Sequence, residues 1–123
     1  MDLASITLAM LGLRLPDGVG ISPERMADAL GMTLADLANG ANVPLNVATV
    51  DPRFAPLQAH LHDLVAALAA AAVVTDDVQK AALWLRHAPI PALRHLTGYQ
   101  LVCAGRKDDV VTYLESIEAG FVG

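Results

Sequence analysis

An all-α fold is predicted by three features: an Ala- and Leu-rich composition, apolar residues recurring at helical spacing, and helix start and stop residues at almost every break. Apolar residues make up 54% of the 123 and aromatic residues only 4%. The core must therefore be aliphatic, and Ala and Leu are among the strongest helix formers. A chain of this length buries roughly two-thirds of the surface its unfolded form exposes, enough to fold without disulfide or metal. No β alternation is sustained, so the expected architecture is a small helical bundle.

The elements follow in order. Leu3, Ile6, Met10 and Leu13 lie on one helical stripe, which Pro16-Asp17-Gly18 ends. Ser22-Pro23-Glu24 opens a second helix, with Ser as N-cap, Pro in the first turn and an acid at the positive helix end. Gly31 stops it, and Thr33 opens the next, with Asp36 completing an approximate capping box. Asn42 to Val50 holds another short helix, closed by Asp51-Pro52. From about Pro56 to Val74 runs the longest helical pattern, with Leu57, Leu61, Leu64, Val65 and Leu68 on one stripe. Its second half is apolar on nearly every side, which fits a central post or an oligomer seam. Thr75-Asp76-Asp77 starts a helix carrying Trp84 and Leu85, and Pro89 and Pro91 break it. Pro91 begins a single helical turn through Leu96. Thr97 with Gln100 forms a capping box for a short helix that Gly105 ends. Asp108 or Asp109 caps the last helix, whose Val110, Val111, Leu114 and Ile117 form a stripe before the Gly120 stop.

Acids outnumber bases 13 to 8, a formal charge of -5, which repels a phosphate backbone unless the bases cluster. Cys103 is the one cysteine, so an internal disulfide is excluded and a reducing compartment is the simplest home. The opening MDLASITLAMLGLRLPDGVG lacks the positive leading region of a signal peptide. The longest apolar stretch, Leu64 to Val74, falls short of the roughly 20 residues a bilayer requires. A cytoplasmic protein without membrane association is expected.

Catalytic chemistry needs converging acids, bases or nucleophiles. His60 and His62 point to different helix faces, and neither they, His87 nor His95 joins Cys or carboxylates at metal spacing. Cys103, beside Leu101 and Val102, reads as a small buried hydrophobe. Asp76-Asp77 and Asp108-Asp109 stand at helix starts, where capping accounts for them. Asp17-Gly18-Val19-Gly20 lacks the third glycine and the Lys of phosphate loops. The sequence predicts no enzyme, no metal and no cofactor.

Residues Leu34 to Val50, LADLANGANVPLNVATV, resemble a helix-turn-helix. Ala38 is small enough for the second helix to cross closely, and Asn42 can take the left-handed conformation its turn requires. The residues available to DNA are Asn42, Asn46, Thr49 and the flanking Arg53. Between Met26 and Pro52 there is no Lys or Arg, and specific binders neutralise several phosphates. Autonomous DNA binding is thus a weaker expectation than the shape.

The strongest signal is AALWLRHAPIPALRHLTGYQLVCAGRKDDVVTYLESIEAGFVG, from Ala81 to Gly123. Trp84-Leu85 on a helix, apolar Leu93 and Leu96 in a loop, then Leu101 with Gly105-Arg106 lead to an amphipathic helix closed by Gly120. This order resembles the toxin-binding domain of the Xre/MbcA/ParS antitoxin family, and the helix-turn-helix-like segment before it suits that family too. The family usually has Thr-Pro at the start of the short helix. Thr97-Gly98 departs from it and should leave that turn looser.

The resemblance implies a helix-turn-helix-like region over 1–55 and a helical toxin-binding domain over 56–123. It implies a type II antitoxin whose partner is a RES-domain, NAD-consuming toxin, its C-terminal region obstructing the toxin's NAD site. The toxin-binding residues would be Arg106, Tyr113, Ile117, Gly120, Phe121, Val122 and Gly123. Phe121-Val122 would anchor in a partner pocket or pack back on its own helix. Self-association through the Ala-rich helix and operator DNA bound together with toxin complete the expected partners. The competing readings are a stand-alone helix-turn-helix transcriptional regulator and a helical oligomerisation module.

Overall fold

In the computed structural model, which describes residues 3–120, the chain is a bundle of α-helices around one long central helix. Local capping chemistry fixes most of the boundaries. Ser22 Oγ accepts from the Arg25 N–H at 3.2 Å to open α2 (Pro23–Leu30), and Gly31, at φ +70°, closes it. Thr33 Oγ1 accepts from the Asp36 N–H at 3.0 Å to open α3 (Leu34–Gly40). Asn42 takes φ +60° between α3 and α4 (Leu45–Val50), the left-handed turn predicted for it.

The first helix, α1 (Leu3–Leu11), is shorter than its stripe predicts, because Gly12 turns left-handed at φ +62°. Leu13 leaves the helix yet is fully buried, and Arg14 forms an isolated antiparallel bridge with Ile21. The rest of the stripe faces outward: Leu3 is 54% and Met10 65% exposed, while Thr7 and Leu8 form the inner face. An uncharged helix has no sequence signal to choose which face it buries.

Helix α5 (Ala55–Thr75) is the post. Leu57, Leu61, Leu64 and Leu68 are at most 1% exposed. By length and composition this helix is sufficient to cross a membrane, more than the apolar stretch alone predicts. Its leucine stripe instead forms the interior of this bundle, against α1, α6 (Val78–His87), α7 (Gly98–Cys103) and α8 (Lys107–Glu118). The Asp76-Asp77 pair divides its labour: Asp76, at φ +58°, ends α5, while Asp77 Oδ1 accepts from the Gln79 and Lys80 N–H groups to begin α6.

After α6, Pro89–Ile90 (β1) pairs antiparallel with Leu96–Thr97 (β2), with Ile90 opposite Leu96. The single turn predicted from Pro91 to Leu96 is a 3-10 turn that stops at Leu93, since Arg94 and His95 are both left-handed. The Thr97–Gln100 capping box is complete, with both reciprocal bonds present. Neither Asp108 nor Asp109 caps α8. Arg106 holds that position, and the two acids lie in the first turn, facing the positive helix end.

One buried cluster spans both halves of the chain, from Leu13, Ile21, Met26 and Leu37 to Leu85, Ile90, Leu101 and Leu114. Polar ties reinforce it. Arg86 Nη1 donates to the carbonyls of Leu30, at 3.1 Å, and Gly31, binding the end of α2 to α6.

Gly98, the departure from the Thr-Pro pattern, lies where α7 packs closely on α6. A Cβ there would lie 2.6 Å from Leu85 Cδ1 and 3.5 Å from both Trp84 and Val110. Leu85 is fully buried and has little room to yield. Gly98→Ala should therefore destabilise by about 1–3 kcal/mol through overpacking, read as a lowered thermal midpoint. An unchanged or raised midpoint would mean that α7 shifts freely on α6.

Candidate partner-binding site

An apolar groove of about 730 Å³ is cut between α1, α5 and α8. Its floor is Ala66, Ala69 and Ala70, and its walls include Leu3, Val73 and Val111. The predicted Ala-rich face thus splits in two. Ala67 and Ala71 are buried as the post, while Ala66 and Ala70 remain half-open along the groove. Such small side chains keep the floor low and permit close backbone approach.

Two acids, Glu115 and Glu118, also line the groove, and no Lys, Arg or His lines it among the described residues. Neither carboxylate has a hydrogen-bond or ion-pair partner among those residues. The site is greasy along its length and negative on its α8 edge. It offers contact area and charge selection.

The C-terminal candidates are not gathered into one patch. Arg106 is exposed at the start of α8, where its Nε meets Asp109 Oδ2 at 2.6 Å. Gly120 lies beyond the other end, after ~18 Å of helix at the usual rise. Tyr113 is half-buried against the core, and Ile117, one turn on, is 36% exposed. Neither lines the groove, which uses Val111, Leu114, Glu115 and Glu118 of the same helix. Gly120, at φ +88°, is exposed; Phe121, Val122 and Gly123 lie outside the described residues.

On the helix-turn-helix-like face, Asn42, Asn46 and Thr49 are exposed, and the Thr49 hydroxyl donates to the Leu45 carbonyl at 2.9 Å. The nearby cations are engaged within the chain. Arg53 pairs with Asp17, and Arg25 Nη1 donates to the Gly12 carbonyl at 2.9 Å. A phosphate would have to displace these contacts.

The reactive side chains are subdued. Cys103 is half-buried beside Tyr99, under Gly40, and burial pushes its thiol pKa up, away from the nucleophilic thiolate. Burial likewise raises the Tyr99 hydroxyl, and the adjoining Cys103 thiol adds to the shift. Burial lowers the His60 imidazole, with Asp63 opposing, and its Nε2 is enclosed without a partner. Among the described residues no group of three or more His, Cys, Asp or Glu could hold a metal ion.

No family model, no curated protein and no solved structure matches this chain.

The groove was missed from sequence, although one signal pointed to it. LASITLAML carries no charged residue on any face, and a surface helix of that kind lacks a face suited to water. Ala66 and Val73 join Val111 only through tertiary packing.

Proposed function

We propose that this protein is a cytoplasmic antitoxin of a type II toxin–antitoxin system, neutralising a RES-domain, NAD-consuming toxin by binding it and occluding its active site with the C-terminal region. The observation carrying this reading is the run of C-terminal elements: Trp84-Leu85 packed against a tightly capped α7, Gly105 turning the chain at φ +77°, and α8 ending in the exposed Ile117–Gly120 stretch. That is the order in which the resemblance places its toxin-binding parts. A rigid core behind an exposed helix end supplies a preorganised contact surface, which reduces the ordering cost of binding.

The test is co-expression with the toxin encoded beside it. The full chain should restore growth and suppress NAD loss. A variant lacking residues 120–123 should do neither while keeping its helical circular dichroism. Full neutralisation by the shortened chain would refute occlusion by this end.

A stand-alone helix-turn-helix regulator is the second reading, favoured by the left-handed Asn42 turn between α3 and α4. Its mark would be a partner-free gel shift that falls steeply with salt. The engagement of Arg25 and Arg53 within the chain places it second.

A further inference from the structure

We infer that the groove between α1, α5 and α8 is a docking site for one amphipathic helix of a partner protein, its apolar stripe flanked by Lys or Arg. Among the described residues the groove is a trough with helical walls and floor, open where a further helix of a bundle would lie. Ala66, Ala69 and Ala70 make a floor low enough for the interaxial spacing of about 8–10 Å at which helices pack. Leu3, Val73 and Val111 supply the apolar contacts that helix-in-groove recognition uses. Leu3 and Val73 are 54% and 38% exposed, so covering them removes apolar surface from water.

Charge at the rim selects the occupant. Glu115 and Glu118 stand one helical turn apart on α8, and neither has a partner among the described residues. Cations along one edge of an incoming helix would meet both. The opposite wall, α1, carries no charge and asks only for apolar contact. Such complementarity fixes orientation and partner choice more than raw affinity.

A second copy of the chain fits the trough less well. Pairing two identical grooves about a two-fold axis sets each acidic edge against either its counterpart or the partner copy's uncharged α1, and neither supplies a cation. The apolar ridge a copy would insert, α1, has no Lys or Arg to answer those acids. The inference is independent of whether the partner is a toxin.

Two designed helical peptides of about 15 residues probe the site, identical in their Leu/Ala stripe but flanked by Lys in one and Glu in the other. Titrated into the isotope-labelled full chain, the Lys-flanked peptide should shift the amides of Ala66, Ala70, Val73 and Val111. It should bind at least about tenfold tighter than its Glu-flanked twin. The double substitution Glu115→Lys with Glu118→Lys, on exposed positions, should reverse that preference. Ala70→Trp should fill the floor and weaken binding by about tenfold or more, with circular dichroism confirming a folded chain. Equal binding of the two peptides, shifts confined to other surfaces, or a preference unmoved by the charge reversal would overturn the inference. So would a dimer in sedimentation that Ala70→Trp dissociates, which would make a second copy the occupant. Peptide binding that appears only after residues 121–123 are removed would assign the groove to the chain's own end.

Discussion

Leu64→Ala should cost about 3–5 kcal/mol, lowering the urea midpoint of unfolding with little change in its slope. Leu64 is fully buried on α5, the helix that every other large element of the C-terminal half packs against. Truncation removes three carbons from an aliphatic core and leaves a void. The surrounding buried core is aliphatic and largely set on helix backbones, so collapse into that void is limited. Domains of this size hold only about 5–15 kcal/mol in total, so the variant should be partly unfolded at physiological temperature. A loss below about 1 kcal/mol would show that α5 shifts freely to close the space, contrary to its role as the fixed post.

Gln58→Ala should cost about 2 kcal/mol, with the damage concentrated in the N-terminal segment. The Gln58 amide is fully used. Its Oε1 accepts from the Ile21 N–H at 3.0 Å, and its Nε2 donates to the carbonyls of Ile21, at 2.8 Å, and Pro52, at 2.6 Å. Removing it strands three backbone groups beside Ile21, which is 1% exposed. An unmade bond at a buried group costs more than a made one contributes. Amide exchange at Ile21 should accelerate before that of α8. Gln58→Glu separates hydrogen bonding from packing: its carboxylate would face two carbonyl oxygens at neutral pH, and protonation would restore a donor. Its stability relative to the parent should therefore recover as pH falls through the carboxyl range. Equal stability of Gln58→Ala and the parent in urea, with unchanged exchange at Ile21, would remove Gln58 from this role.

These two residues mark where sequence reading succeeds and where it stops. Leu64 was legible because the α5 stripe repeats at helical spacing over many turns. Ser22, Thr33 and the Thr97–Gln100 box were legible because a cap and its acceptor lie within three residues of one another. Gln58 was not, since its partner Ile21 is 37 positions away and nothing local marks a glutamine as a strut. Arg86 escaped for the same reason, its acceptors lying 55 and 56 positions upstream. The face that α1 buries was not legible, because its apolar residues surround the helix. The groove joins three distant segments, and only packing brings Leu3, Ala70 and Glu118 to one place.

The single tryptophan has a practical consequence. Trp84 is half-buried at the contact between α6 and α7, its ring edge 3.5 Å from where a Gly98 side chain would begin. Its emission colour therefore reads hydration at that one seam, whereas far-ultraviolet ellipticity averages over every helix. Comparing the two signals during denaturation gives a direct measure of cooperativity, with no dye or label added.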